Sequence, residues 1–322
     1  PDAVAILVNN PTYYGIASDL KAIVKLAHAH GMKVLADEAH GTHFYFGEDL
    51  PVSAMAAGAD IAAVSMHKSG GSLTQSSLLL TNKNVRWEYV AQIINLTQTT
   101  SASYLLMSSL DISRRNLALR GKESFGKVMK MAEYARNEIN EIGGYYAYGR
   151  ELNNGSSVFD YDVTKLSVYT RDIGLAGIEV YDLLRDEYDI QIEFGDIGNI
   201  LAYISIGDRI QDIERLVGAL ADIKRLYSKD NAKMLSMEYI PPIVSATPRD
   251  AFYADKEMLP IEQTAGRICS EFVMCYPPGI PILSPGEMIT DEIIEYINYA
   301  KAKGCSMQGT EDPYIEKLNV LK

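Results

Sequence analysis

Cysteine is scarce in this chain, which has only three in 322 residues. Cys269, Cys275 and Cys305 show no Cys-x-x-Cys spacing. An odd and sparse set of this kind argues against a disulfide framework and against a zinc site. We therefore expect a cytoplasmic protein that works in a reducing compartment and binds no metal.

Basic clusters and long apolar runs are also lacking. The chain has 30 Lys and Arg against 42 Asp and Glu, which gives a formal net charge of −12. Because no block of Lys or Arg suggests a surface that follows a phosphate backbone, we expect no nucleic-acid partner. No apolar run is long enough to cross a bilayer, so we expect no membrane partner either.

The first residues lack the features of a natural N-terminus. Pro1 stands where an initiator Met is expected, and Pro1–Val4 has no basic segment of a secretion signal. The chain instead opens directly into an apolar run. We therefore expect further sequence upstream of Pro1.

The first eighty residues alternate strand and helix patterns. Four short apolar runs are typical of buried strands: 3–9, 33–36, 60–65 and 77–81. Between the first two runs, apolar residues recur at helical spacing, with Ser18 as the predicted N-cap and Gly31 as the predicted end. Strands separated by crossover helices imply an α/β fold with a mainly parallel sheet.

The pattern changes along the rest of the chain. Residues 84–142 are mostly helical, and the last helix of this stretch ends at Gly143-Gly144. An α+β pattern follows, with predicted strands at 165–170, 191–194, 200–206 and 271–275 and predicted helices at 175–188, 208–227 and 291–303. We therefore predict an α/β domain over 1–143 and an α+β C-terminal region over 144–322. The latter divides into a small domain at about 144–235 and a terminal subdomain at about 236–322.

Three predicted strand ends carry polar side chains. Asn9-Asn10 follow the first strand, Asp37–His40 follow the second, and Ser65–Lys68 follow the third. Successive carboxyl ends of a parallel sheet lie side by side and form the crevice in which ligands bind. Asp37 and Lys68 are therefore expected to face one cavity.

An aspartate and a lysine in one cavity suit a cofactor with a pyridine ring and an aldehyde. The lysine amine can bond to the aldehyde, and a carboxylate opposite the ring nitrogen keeps that nitrogen protonated. Ser65 and His67 flank the lysine and can donate hydrogen bonds to a phosphate. Each feature also has a structural explanation, because Asp37 can cap a helix and Lys68 can be an exposed surface residue.

The order of these motifs resembles that of the ornithine/lysine/arginine decarboxylases, which are pyridoxal-phosphate enzymes of the aspartate-aminotransferase fold type. The strings Ser65–Ser69 and Asp37–Phe44 are similar to the lysine and aspartate motifs of that family. Further similar strings are Thr99–Tyr104, Asp111–Gly121, Tyr276–Pro281 and Pro285–Glu287. The resemblance covers essentially the whole chain, and it implies that residues 1–143 are the C-terminal part of an incomplete cofactor-binding large domain.

The resemblance implies three catalytic residues. Lys68 is the Schiff-base lysine, and Asp37 pairs with the pyridinium nitrogen of pyridoxal 5'-phosphate. His40 faces the reacting side of the cofactor near the substrate, although a structural hydrogen bond at the strand end would also explain it. Glu271 precedes the C-terminal motif, where an acidic residue would recognise the distal cation of a basic substrate.

The resemblance also implies a set of cofactor-binding residues: Lys68, Asp37, Ala39, Ser65, His67, Thr100 and Ser101. Ala39 would lie against the ring face. Thr100 and Ser101 would reach the phosphate bound by a neighbouring subunit, or else would cap a helix. Ala102 stands where the family pattern has Pro. Upstream sequence would supply a phosphate loop and a residue that stacks on the cofactor.

The resemblance implies α-decarboxylation of a basic L-amino acid within polyamine biosynthesis. Arginine, which gives agmatine, is the preferred substrate, and lysine and ornithine are the alternatives. A homodimer or higher homo-oligomer is expected, because sites of this fold type form between subunits. Rival interpretations are another enzyme of the same fold type, such as an aminotransferase or a C–S lyase using Arg249 or Arg267, and an inactive fragment or non-catalytic binding relative.

Overall fold

The computed structural model describes residues 2–230, 239–276 and 278–322. The chain forms two compact units. The first comprises Pro1–Glu138, Ala147–Ser167 and Tyr203–Arg215, and the second comprises Ile139–Tyr146, Val168–Ala202 and Leu216–Lys322. The start of the predicted terminal subdomain and Pro277 of the C-terminal motif lie outside the described residues. The predicted domain limits stay predictions.

The described residues form helices and strands along the whole chain. The helices are α1 (Leu20–Ala29), α2 (Ala54–Ala57), α3 (Met66–Ser69), α4 (Trp87–Thr97), α5 (Tyr104–Ile142), α6 (Gly177–Tyr188), α7 (Ile210–Tyr227), α8 (Pro248–Tyr253) and α9 (Asp291–Ala302). The strands are β1 (Ala5–Asn9), β2 (Ile16–Ala17), β3 (Lys33–Asp37), β4 (Ile61–Val64), β5 (Leu78–Thr81), β6 (Tyr146–Ala147), β7 (Asp160–Tyr161), β8 (Lys165–Tyr169), β9 (Phe194–Gly195), β10 (Asn199–Tyr203), β11 (Lys256–Pro260), β12 (Val273–Cys275), β13 (Ile280–Leu283), β14 (Met307–Gln308) and β15 (Lys317–Leu321). The predicted strand 191–194 is wrong in its bounds, since β9 begins only at Phe194 after a left-handed turn at Asp189.

The first unit is organised around a four-stranded sheet with the order β1-β3-β4-β5. Strands β1, β3 and β4 run parallel, and β5 runs antiparallel to β4. The mainly parallel sheet predicted from the sequence is therefore confirmed. The fourth strand reverses direction because residues 65–77 return the chain to the sheet without a crossover helix of the usual length.

One face of this sheet is packed against α1. Leu20 and Val24 of α1 are buried in one apolar cluster with Val34 and Ala36 of β3. The predicted Ser18 N-cap is wrong, because the Asp19 carboxylate accepts the hydrogen bond from the Ala22 N–H at 2.9 Å. The N–H of Ser18 instead donates to Oδ1 of Asn10 at 2.7 Å, and this bond joins the helix start to the end of β1.

The opposite face of the sheet is open in this chain. Leu7 of β1 is 73% exposed and Leu79 of β5 is 43% exposed. Asp37 and Ala63, which are paired in register across β3 and β4, are exposed on the same strands. Parallel strands are usually covered on both faces, so an open face that carries Asp37 leaves this carboxylate accessible.

The C-terminal residues of the second unit form two small antiparallel sheets. Strand β11 pairs with β15, and β12 lies between β13 and β14. Their core includes Val273, Leu283, Ile293, Ile297 and Val320, all of them buried. The chain also forms a four-stranded sheet with the order β6-β8-β10-β9. No helix in the described part of the chain has the length and apolar character needed to cross a membrane.

Candidate active site

Asp37 is the last residue of β3, with Asn9 and Ala63 beside it on the neighbouring strands. Its Oδ1 accepts a hydrogen bond from the Ala39 N–H at 3.1 Å. Its Oδ2 accepts no hydrogen bond from the described residues, and the side chain is exposed. The carboxylate is therefore positioned by the turn that follows the strand, while one oxygen is available to a ligand.

Lys68 lies on α3, directly after β4, the neighbour of β3 in the sheet. Its Nζ is 2.9 Å from Nε2 of His40 and 5.6 Å from the centroid of the Tyr13 ring. The Tyr13 ring also meets the His40 ring edge to face, with 4.0 Å between centroids. The structure thus brings together two predicted site residues and adds Tyr13. The sequence signal for Tyr13 was its place in the turn after the first strand.

His40 also contacts a second lysine, Lys165, which the sequence analysis missed. Nζ of Lys165 is 3.2 Å from Nδ1 of His40, so the imidazole lies between two lysine amines. Lys165 is 1% exposed, and its Nζ is 3.3 Å from the centroid of the Tyr203 ring. The lysine begins the apolar strand β8, and a charged residue in an otherwise buried strand was the only sequence signal.

The surroundings of His40 strongly disfavour the protonated, cationic form of its imidazole. Burial and the neighbouring charges of Lys165 and Lys68 lower the pKa of His40 to about 2. The ring is therefore neutral near pH 7, with one nitrogen that donates and one that accepts a hydrogen bond. A neutral imidazole at this position can hold one proton between the two amines.

A second histidine, His43, anchors the turn that carries His40. Its Nε2 is 2.8 Å from Oδ2 of Asp162, and neither side chain is exposed. Thr164 donates to Oδ1 of Asp162 through its hydroxyl at 2.7 Å and through its N–H at 3.0 Å. This network ties the turn after β3 to the segment before β8, from which Lys165 projects.

The residues predicted to bind phosphate lie around the start of α3. Ser65 is the N-cap of α3, and its hydroxyl makes no hydrogen bond within the described residues. Nδ1 of His67 lies 2.9 Å from the carbonyl oxygen of Ser76, and this contact fixes the ring. The free oxygen of Asp37, the free hydroxyl of Ser65 and the amine of Lys68 match the donor and acceptor set that pyridoxal phosphate requires.

The cluster lies apart from a large cavity of the first unit. That cavity has a volume of about 1030 Å³ and is lined by charged residues such as Arg120, Lys127 and Glu133 of α5. None of the predicted site residues lines it. Because no predicted site residue lines this cavity, we assign the chemistry to the cluster at the strand ends.

The sequence profile of the Orn/Lys/Arg decarboxylase major domain matches residues 1–212 of this chain, and the C-terminal domain profile of the same family matches residues 231–312. The chain belongs to the Orn/Lys/Arg decarboxylase family. The resemblance predicted from the motifs is therefore confirmed, and enzymes of this family depend on pyridoxal phosphate.

Within the family, arginine decarboxylases align with the whole chain. It is 45% identical over 326 residues to the arginine decarboxylase of Bacillus subtilis (strain 168) and 44% identical over 325 residues to that of Bacillus anthracis. Each alignment covers 100% of this chain and 66% of the relative, so the chain spans about two-thirds of their length. The lysine decarboxylase LdcA of Pseudomonas aeruginosa is 33% identical over 92 residues, which is 26% of this chain.

Solved structures of the family share the fold. The constitutive lysine decarboxylase of E. coli superimposes with a TM-score of 0.74 at 18% identity, over 99% of this chain and 58% of that chain. The lysine decarboxylase LdcF of Francisella novicida gives a TM-score of 0.77 at 19% identity, over 98% of this chain and 57% of that chain. These likenesses confirm the predicted fold class.

Thr100 and Ser101 lie in the exposed connection between α4 and α5. The N–H of Ser101 donates to the hydroxyl of Thr99 at 3.1 Å. The alternative that they cap a helix is wrong, because Oγ of Ser103 accepts the N–H of Leu106 at the start of α5. A family role at a neighbouring subunit stays a prediction for both residues.

Glu271 belongs to the second unit and is 7% exposed. One carboxylate oxygen accepts the N–H of Asn319 at 2.9 Å. The other accepts the N–H of Glu311 at 3.0 Å and Nδ2 of Asn319 at 3.1 Å. Glu271 therefore connects β15 to the preceding loop, and substrate recognition by this residue stays a prediction.

Proposed function

We propose that this chain carries the catalytic site of a pyridoxal-phosphate-dependent arginine decarboxylase, which converts L-arginine to agmatine and CO₂. The observation that carries the proposal is the 45% identity to an arginine decarboxylase over the whole chain, against 26% coverage for the lysine decarboxylase LdcA. The His40–Lys68 contact and the position of Asp37 at the end of the neighbouring strand β3 support it, because these side chains are suited to this cofactor.

Pyridoxal phosphate, when bound, supplies an electron-accepting ring that stabilises the carbanion left by CO₂. Asp37 would hold the ring nitrogen through its free oxygen, and Ala39 would lie against the ring face. Lys68 would supply the amine that bonds to the cofactor. Ser65 and His67 would hold the phosphate, together with Thr100 and Ser101 from a neighbouring subunit.

The geometry gives His40 and Lys68 a shared role in proton handling. Nε2 of His40 is 2.9 Å from Nζ of Lys68, within hydrogen-bond distance. A proton on Nε2 can therefore be donated in a hydrogen bond to the neutral amine of Lys68. The T-shaped contact with the Tyr13 ring helps to keep the imidazole oriented.

Arginine is proposed over lysine and ornithine because the whole-chain relatives are named for arginine. A planar guanidinium is recognised best by a carboxylate that can accept two parallel hydrogen bonds. Glu271 is the proposed carboxylate, and to bind a guanidinium it would have to exchange its present hydrogen bonds from Asn319 and Glu311. Lysine and ornithine present a single ammonium group, which such a site would bind less specifically.

The test is a product assay with the three amino acids. The chain, supplied with pyridoxal phosphate, is incubated with L-arginine, L-lysine or L-ornithine, and CO₂ and amine products are measured. We expect agmatine, with a kcat/KM for arginine at least about tenfold above that for lysine or ornithine. A 2-oxo acid instead of CO₂ would indicate an aminotransferase. Cofactor capture without any product would indicate an inactive fragment or a binding relative.

We also propose a cytoplasmic homodimer or higher homo-oligomer. Eight large apolar side chains of α4 and α5 are more than half exposed: Trp87, Tyr89, Leu96, Tyr104, Leu105, Met107, Ile112 and Leu119. We propose that these helices contact another chain, because large exposed apolar areas usually mark such contacts. Light scattering over a range of concentrations tests this proposal, and a monomer at all concentrations would contradict it.

A further inference from the structure

The imidazole of His40 is contacted by one lysine amine at each ring nitrogen. Lys68 lies 2.9 Å from Nε2, and Lys165 lies 3.2 Å from Nδ1. Only the first of these lysines is part of the proposed cofactor chemistry. Lys165 is buried among neighbouring strands and is unused by that mechanism, so its place against His40 calls for a separate explanation.

Hydrogen-bond chemistry restricts the charges of the two lysines. A lysine ammonium can only donate, whereas a neutral imidazole has one donor and one acceptor nitrogen. Both amines can therefore bond to neutral His40 only if the amine beside the N–H nitrogen is neutral and accepts, while the other amine donates to the ring nitrogen without a proton. Burial, together with the positive charge of Lys165, favours the neutral state of His40.

The surroundings place the positive charge on Lys165. Its Nζ is 3.3 Å from the centroid of the Tyr203 ring, which is a favourable cation–π distance. The charge of Lys165 also contributes to the lowered pKa of the buried Asp162 carboxyl, where it opposes the effect of burial. Burial alone favours a neutral lysine, but an aromatic face and a nearby carboxylate offset that effect. Lys68 is exposed and has the more distant Tyr13 ring at 5.6 Å.

We propose that Lys165 is a positioning residue that donates to Nδ1 of His40, fixes the imidazole in its Nε2–H tautomer, and thereby holds Lys68 as a neutral amine. A neutral amine is the form of lysine that attacks an aldehyde. The inference deepens the proposed function and rests on it for the role of Lys68. The protonation states of the two amines can nevertheless be measured in the chain without cofactor.

Other titratable groups face the same cluster. His43 and His67 add to the positive field at His40, and Asp162 is the acidic group that acts on Lys165. Removing the charge of Lys165 should therefore change the reactivity of Lys68 through His40 and through the loss of a nearby cation.

The test measures the reactivity of Lys68 in the full 322-residue chain without cofactor. Lysines are acetylated briefly with acetic anhydride between pH 6 and 11, and the labelled peptides are quantified by mass spectrometry. The exposed Lys21 in the same samples is the internal control. We expect half-maximal labelling of Lys68 below pH 7, at least about three pH units below that of Lys21.

The variants separate charge from packing. In Lys165→Met, which keeps an unbranched side chain without charge, the Lys68 profile should move up by about one pH unit, while Lys165→Arg should retain most of the wild-type profile. Circular dichroism checks that each variant is folded. Half-maximal labelling of Lys68 above pH 7 in the wild-type chain would overturn the proposal, as would an unchanged Lys68 profile in folded Lys165→Met.

A second measurement needs no variant. Nitrogen-15 spectra of the histidine rings should show His40 protonated at Nε2 and unprotonated at Nδ1 near pH 7. The opposite tautomer would place the neutral amine on Lys165 and overturn the proposal. Because neither measurement uses cofactor or substrate, a failure of the decarboxylase assay leaves both results fully interpretable.

Discussion

His43 and Asp162 form a fully buried pair, with 2.8 Å between Nε2 and Oδ2, across 119 residues of sequence. Burial alone would raise the pKa of the Asp162 carboxyl, but His43, Lys165 and the Thr164 hydroxyl keep it below its ordinary value. The pair therefore contains an ionised carboxylate that depends on its partners. It fixes the turn that carries His40 relative to the strand that carries Lys165.

Replacement of Asp162 by Asn should destabilise the first unit. The change removes the charge that His43 and Lys165 face in a site without water, and breaking one partner of a buried pair costs about 3 kcal/mol. Urea unfolding measures this difference. The matched control is Asp222→Asn, since Asp222 pairs with Arg225 on an exposed face of α7 and should contribute less than about 1 kcal/mol. Equal losses in the two variants would contradict the structural role of the pair.

The ionised Asp60 carboxylate should stabilise the folded chain at neutral pH, and this stabilisation should be lost in acid. Burial would raise the pKa of its carboxyl, but hydrogen bonds from the Val34 N–H, Lys33 and His28 lower it to about 2. Since the unfolded value is 3.8, this contribution is present above about pH 4 and is lost as the pH falls toward 2.

Asp60→Asn should therefore lower the free energy of unfolding by about 2 kcal/mol at pH 7 and by about half as much at pH 3. Chemical unfolding at the two pH values checks this. Asp212→Asn, at an exposed pair with Arg209, is the control. A loss that is the same at both pH values would show that packing, and not the charge of Asp60, is responsible.

Glu38 should have the opposite dependence on pH. Burial raises the pKa of its carboxyl to about 7, although hydrogen bonds from Tyr45 and Ala54 oppose the change. The folded chain thus favours the protonated form. This contribution is fully present below pH 4.5 and is lost as the pH rises through 7.

Glu38→Gln should consequently become more stable relative to the wild-type chain as the pH rises. We expect its advantage in unfolding free energy to be about 2 kcal/mol larger at pH 8 than at pH 4.5. Thermal or urea unfolding at both pH values gives the result. If the stability of Glu38→Gln relative to the wild-type chain fell with rising pH, the fold would stabilise the Glu38 carboxylate. That result would contradict a raised pKa for Glu38.

Much of the first unit could be predicted from local pattern. The runs that became β1, β3 and β4 are short and apolar, and the polar residues after them mark the strand ends. The structure places Asp37 at the end of one strand and Lys68 after the neighbouring strand, as predicted from a parallel sheet, and their roles stay predictions. The direction of β5 was less accessible, because it depends on how residues 65–77 return to the sheet, and the cap at Asp19 depends on which of two adjacent residues makes the hydrogen bond.

The partners of His40 could not be predicted in the same way. Lys165 and His40 are 125 residues apart, and no local pattern signals that they meet. The same holds for His43 with Asp162. Histidines in a motif indicate a site. Their hydrogen-bond partners depend on how distant strands pack, and local residue spacing does not predict that packing.

Asp37→Asn should separate cofactor capture from catalysis. The amide cannot keep the ring nitrogen protonated, so agmatine formation should fall by at least about 100-fold, while the amount of cofactor trapped at Lys68 changes by less than about twofold. Asp19→Asn is the control, because Asn caps a helix as well as Asp. Loss of trapping together with activity would assign Asp37 a role in the fold, and unchanged activity would remove it from the site.

The most direct test of the account is the location of the cofactor-bonding lysine. The chain is incubated with pyridoxal phosphate, reduced with borohydride and digested, and the modified lysine is identified by mass. We predict a predominant adduct on Lys68, which disappears in Lys68→Arg without transfer to Lys165. Labelling scattered over exposed lysines such as Lys21 and Lys25, or concentrated on Lys165, would contradict the account.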